Sequence, residues 1–162
     1  EKKSRYVQRY TFANQASPTI AINGTYLTKG YYPKIVTSGI DMARVESSLA
    51  NLPLKIENDI LSTQLPAQTE KGYYEIWFYA YDRQEAEPID IQASALNPAQ
   101  TRVVTFNNVV KKVKRLGSWN GSGESISIPL KDLDTDGYAI LVQGVRAGPL
   151  LAAGYIEPDK SL

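Results

Sequence analysis

The sequence predicts an α+β fold: a β-hairpin and one helix, then an antiparallel β-sandwich-like unit of about seven strands. Three observations carry this expectation. Ser17 to Tyr32 reads SPTIAINGTYLTKGYY, an apolar run, an Asn-Gly pair and a returning run. A helical apolar period then passes through Met42, Val45, Leu49 and Leu52 and stops at Pro53. Beyond Pro53 the chain breaks into short β-prone runs separated by turn residues, with no helix between them. The expected division is residues 1–52 and residues 53–162.

Each element has its own reason. In Glu1 to Phe12, Tyr6 and Tyr10 stand four residues apart with Val7 beside them, which reads as the tail of an amphipathic helix. Ala13 to Ser17 is a loop. Pro18 cannot donate a ladder hydrogen bond, so it belongs at the first position of the strand Thr19 to Ile22. Its cis form costs only about 0.5–1 kcal/mol, so either isomer is open. Asn23-Gly24 makes a two-residue reversal, because both residues tolerate positive φ and the turn matches strand twist. Thr25 to Lys29 returns. Gly30 to Gly39 is expected as a loop containing Pro33. Asp41 then caps a helix over Asp41 to Asn51, its carboxylate near the free amides and the positive dipole end.

In the second part, Leu54 and Ile56 open a strand, and Ser62 to Lys71 reads as a polar linker with Pro66. Gly72 to Asp82, GYYEIWFYAYD, is the most β-prone run in the chain. Tyr74, Ile76, Phe78 and Ala80 share one face; Tyr73, Glu75, Trp77, Tyr79 and Tyr81 share the other. Arg83 to Glu87 is expected as a turn before an alternating run from Pro88 to Ala93. Arg102 to Leu116 fits a helical stripe through Phe106, Val109, Val110, Val113 and Leu116. Its β-branched content and strand neighbours favour instead a long strand with a bulge near Asn107-Asn108. Gly117 to Gly123 is a loop carrying Trp119. Ser125 to Leu130 alternates, Asp132 to Gly137 turns, Tyr138 to Gln143 is a central strand, and Leu150 to Ile156 closes the sheet after Gly148-Pro149.

Bulk composition limits the chemistry. A chain of 162 residues with 43% hydrophobic content can bury a core, and a net charge of +1 gives no reason to expect nucleic acid as partner. No apolar run approaches the roughly 18 residues of a membrane span. The chain has no cysteine and no histidine. A thiol nucleophile, a disulfide, a CxxC pair, a Ser-His-Asp relay and a histidine-ligated zinc are therefore all excluded within it. No cofactor is expected. The chain opens on Glu1 without a signal peptide, which reads as a processed or trimmed product preceded by something else.

The order of motifs resembles a secreted bacterial thioredoxin-like family catalogued as a domain of unknown function. The matching residues are Gln8-Arg9-Tyr10, Ser17-Pro18 with the strand into Asn23-Gly24, and the helix around Val45. Asn108-Val109-Val110, Leu116 to Gly121, Leu141-Val142-Gln143 and Gly148-Pro149-Leu150 with Ala152-Ala153 follow in order. The resemblance implies a periplasmic or secreted protein, with the second half of a thioredoxin fold joined to a β-sandwich-like region. It implies a Cys-bearing first half that this chain lacks, which is on a missing N-terminal segment, on another polypeptide, or was never present in this member of the family. The expected role is the later part of such a protein, binding or structural and not itself catalytic. The alternative is that the intact protein is a thiol-disulfide oxidoreductase.

Four groups of residues are candidates for function. In thioredoxin-like folds the residue before the cis proline offers its main chain to an extended peptide. By that resemblance Ser17, Pro18 and Thr19 form a substrate edge, set against a plain structural turn seated by Asn23 and Gly24. The partner would be a peptide, a protein substrate or the missing half. Asp132, Asp134 and Asp136 before Gly137 spell the opening of a calcium loop, though the twelfth position is Gln143 and no helices flank it. The plainer reading is an Asp-rich turn. Lys111, Lys112, Lys114 and Arg115 read as a charged edge that resists pairing with other sheets. The face of Tyr73, Trp77 and Tyr81 is either an aromatic platform or packed under a second layer.

Overall fold

The computed structural model describes residues 19–29, 32–46, 49–68, 72–92 and 98–158. The expected N-terminal helical tail, Ser17 and Pro18 lie outside these residues.

Strands β1 (Thr19–Ile22) and β2 (Tyr26–Lys29) form the expected hairpin as a two-stranded sheet of their own. Ile22 pairs with Tyr26, so the turn holds three residues, one more than expected. Asn23 at φ 52° and Gly24 at φ 68° both take left-handed backbone, and the Thr25 amide donates to the Ile22 carbonyl at 3.0 Å. Helix α1 (Pro33–Glu46) packs on both strands.

The helix corrects the expectation most. It starts eight residues before Asp41, inside the expected loop, because Pro33 stands at its first position. There a missing N–H costs nothing and φ is already helical. Asp41 is therefore mid-helix; it pairs with Arg44 at 3.7 Å and caps nothing. The helix also ends at Glu46, short of Leu49 and Leu52. Its buried side is Gly39 and Ala43, where a Cβ on Gly39 would come within 2.7 Å of Ile22 Cδ1. Small residues admit the hairpin, and Met42 and Val45 of the expected stripe point to solvent.

Beyond the helix come β3 (Ala50–Asn51), β4 (Lys55–Glu57), β5 (Ile60–Leu65), β6 (Tyr74–Ile91), β7 (Gln100–Trp119), β8 (Glu124–Pro129), β9 (Gly137–Gly144) and β10 (Leu150–Ile156). One sheet has the order β3-β10-β9-β6-β7 and the other β4-β5-β8. Their facing sides enclose the core: Leu61, Leu65, Ile126 and Ile128 from one, Phe78, Tyr138, Ile140 and Val142 from the other. The sandwich-like expectation holds, with one pair that is not antiparallel. β3 runs parallel to β10, and Leu52 beyond it is buried in the core. That approach needs Gly154, where a Cβ would sit 2.1 Å from the Leu52 carbonyl oxygen.

Several connections proved to be strand. Arg83 to Glu87 is no turn; β6 runs through it for 18 residues. Arg102 to Leu116 is strand, as favoured, within a 20-residue β7 that takes in Gly117 to Trp119 of the expected loop. The expected linker begins as the end of β5. The register of β6 on β7 slips opposite Lys111 and opposite Leu116, and Asn108 holds φ 53° where a bulge was expected. In each case cross-strand pairing overrides local turn propensity. β9 lines β6 only from Tyr74 to Tyr81, so among the described residues the rest of β6 and β7 continues as a two-stranded arm.

Candidate functional site

The hairpin is fastened to the sandwich through its turn. The Leu150 amide donates to the Asn23 carbonyl at 3.0 Å. A Cβ on Gly24 would fall 2.2 Å from the Gly148 carbonyl oxygen, so only glycine lets the two turns meet. Behind them Gln143, 1% exposed, donates through Nε2 to the same Gly148 oxygen at 2.7 Å. Gly148 in turn donates to Gly144 at 2.9 Å and closes the β9–β10 connection. Gln143, which stands at the twelfth position of the calcium pattern, is a structural brace for this junction.

Beside the junction lies an apolar cleft of about 340 Å³ lined by Ile22, Asn23, Ile40, Ala43, Arg44 and Leu49. Arg44 is the cation at its rim. Ile35, Met42 and Val45 continue the apolar surface along α1, and Val45 is 88% exposed. On the hairpin, β1 pairs with β2 alone among the described residues, and none of these residues pairs with its other edge from Thr19 to Ile22. Thr19 is thus placed at that edge by its backbone.

The acidic turn is held by hydrogen bonds of its own. Among the described residues no three His, Cys, Asp or Glu side chains are placed to hold a metal ion. Asp132 takes φ 64° within the turn, where the Leu133 amide donates to the Leu130 carbonyl at 3.0 Å. Asp136 Oδ2 accepts the Arg83 amide at 2.9 Å. It satisfies the first edge amide of β6 beyond the end of β9. Tyr81 donates to Glu157 Oε1 at 3.2 Å, and Arg83 lies 3.7 Å from Glu157. Burial, reinforced by that hydrogen bond and the carboxylate charge, pushes the Tyr81 hydroxyl up to about 12.

The aromatic face is no open platform, since Trp77 and Tyr81 are buried while Tyr73 alone stands out at 79% exposure. Trp119 closes the sandwich, tilted on Tyr74 at 5.4 Å between ring centres and donating to the Ser122 carbonyl. In the basic run, Lys111 bonds Glu85 at 2.7 Å, which holds its ammonium above the usual range, and Arg115 bonds the buried Glu75 at 3.0 Å. These charges serve cross-strand pairing. Sequence reasoning missed Gln143 and Gly148, because a buried glutamine in an apolar run shows its partner only when the strand ends are brought together.

A family model described as protein of unknown function (DUF1223) matches residues 1–143. No curated protein matches the chain. A crystal structure of a protein from Agrobacterium tumefaciens is similar at 15% identity and TM-score 0.75, over 99% of this chain and 70% of that one. That likeness concerns the fold alone. A β-glucosidase from Kluyveromyces marxianus in complex with glucose overlaps at 13% identity and TM-score 0.31, over 68% of this chain and 13% of its own, too slight to carry any argument. No helix among the described residues is long and apolar enough to cross a membrane.

Proposed function

The chain belongs to the DUF1223 family of proteins of unknown function, and from that premise we propose that it is the later part of an exported, thioredoxin-like protein. Its own role is binding. The observation that carries this is the outer edge of β1, unpaired among the described residues, which directly follows Ser17-Pro18 in sequence and lies beside an apolar cleft. An extended peptide can add there as a strand, its main chain paired with β1 and alternate side chains met by Ile40 and Leu49. In the sequence Ser17 and Pro18 come immediately before Thr19, the first residue of that edge. With neither cysteine nor histidine, this chain supplies the receiving surface and no nucleophile or base of the thiol or imidazole kind.

Sequencing the N-terminus of the natural gene product and measuring its intact mass test the reading. A Cys-bearing half preceding Glu1, with insulin reduction that disappears on Cys→Ser, makes the whole protein a thiol-disulfide oxidoreductase in which this chain holds the substrate. A Cys-bearing half without that activity leaves the binding role. A natural start near Glu1 overturns the thioredoxin-like reading. Recovery of the natural protein from the periplasm or medium checks the export.

A further inference from the structure

We infer that the arm formed by the outer halves of β6 and β7 is a self-association device, packing face to face on the same arm of a second copy. Past Tyr81 the two strands have no third neighbour among the described residues, and an isolated two-stranded ribbon is at best marginally stable in water. The pairing register sorts its side chains cleanly. On one side stand Glu85 with Phe106, Glu87 with Val104, Ile89 with Arg102, and Ile91 with Gln100. On the other stand Gln84 with Asn107, which share a hydrogen bond at 3.3 Å, and Asp90 with Thr101, which share one at 2.6 Å. The second side is mostly taken up by such polar pairs, with Val103, opposite Pro88 and 71% exposed, as its single large apolar side chain. The first carries four large apolar side chains, each between 36% and 43% exposed.

Charge selects the occupant. Glu85 is taken by Lys111. Glu87 and Arg102 sit on the apolar side, in adjacent rows of the register, and neither has an ion-pair partner among the described residues. Two arms crossed tip to root about a two-fold axis between those rows satisfy both at once. Arg102 meets the partner's Glu87, Glu87 meets the partner's Arg102, and Phe106 covers the partner's Ile91. A surface complementary to itself in this way defines an isologous dimer. Pairing by edges is the poorer solution. Pro88 lacks an N–H on the outer edge of β6, and the edge of β7 repels its own copy through Lys112 and Lys114. The area offered is small, so the dimer is weak and concentration-dependent.

Sedimentation equilibrium of the full 162-residue chain over a wide concentration range tests this. A monomer–dimer equilibrium is expected. Arg102→Glu should raise its Kd about tenfold by setting like charges together, and Arg102→Glu with Glu87→Arg should restore it. Phe106→Lys should abolish the dimer, whereas Val103→Lys on the other side should leave it, with far-UV dichroism confirming that every variant is folded. A monomer at every concentration overturns the inference. So does a dimer indifferent to both Phe106→Lys and the charge reversal, or one broken instead by Val45→Lys on the helix.

Discussion

The inner and outer halves of β6 are the same strand under two regimes. From Tyr74 to Tyr81 it lies between β7 and β9, with the sandwich core on one side. Phe78 and Ala80 there are completely or almost completely buried. From Asp82 to Ile91 it has β7 alone among the described residues, and its residues are exposed or nearly so. The sequence of the two halves differs less than their surroundings do: Ile89 and Ile91 are as apolar as Ile76. What changes is the third strand. β9 begins at Gly137, opposite Tyr81, so both the extra ladder and the covering layer end there. Asp136 on the arm's first edge amide and Glu157 on Tyr81 and Arg83 mark this boundary. Burial follows from the number of layers that a strand meets, and the length of β9 sets that number for β6.

The strongest way to break the comparison is to cut a large side chain from each half. Trp119→Ala, in the core opposite Tyr74, should destabilise the protein by about 3–5 kcal/mol. Phe106→Ala on the arm should cost the monomer about 0.5 kcal/mol or less. Urea unfolding of both variants at low protein concentration decides it, and equal losses would mean that the arm is packed as the body is. Next in size, Gly24→Ala drives a Cβ against the Gly148 oxygen at a left-handed φ. It should cost roughly 1–3 kcal/mol and loosen the hairpin from the sandwich. Faster hydrogen exchange at Leu150, whose amide bonds Asn23, would report that loosening.

Asp136→Ala sharpens the boundary between the halves. It leaves the Arg83 amide without its acceptor, for about 1 kcal/mol, and the effect should appear as faster exchange at Arg83 while the Phe78 amide is unchanged. The smallest effect is one of pH. The Tyr81 hydroxyl ionises near pH 10 when unfolded and near pH 12 when folded. The folded state therefore holds its proton longer, and stability is whole below pH 10 and falls as pH rises from 10 towards 12. Tyr81→Phe should flatten that part of the alkaline slope; an unaltered slope would show that another group is responsible.

Legibility in the sequence tracked the range of the interaction that fixes each element. The hairpin was legible because Asn23-Gly24 settles it locally, to within one residue of turn. The strands from Ser125 to Ile156 were legible from alternation and turn residues. The helix start was not, because Pro33 permits both a loop and a first helical position. Packing against the hairpin, with Gly39 close on Ile22, goes with the helix. Arg83 to Glu87 looked like a turn because its residues are polar, and polar residues are what a two-sided exposed ribbon also requires. Of the candidate site, Thr19 and the Asn23-Gly24 turn were visible in advance. The Gln143–Gly148 brace and the role of Asp136 were not, since each joins residues to a surface defined by another strand.

The sequence by itself determined the punctuation of this protein and the chemistry it forgoes: where Asn-Gly and Pro bend the chain, and that no thiol or imidazole acts within it. Tertiary structure alone decided which apolar residues are covered, which carboxylates brace amides, and where a sheet gives way to an arm. The reason is that φ preferences and residue types are properties of a few neighbouring residues. Burial and register are properties of partners that the chain meets only after it has folded.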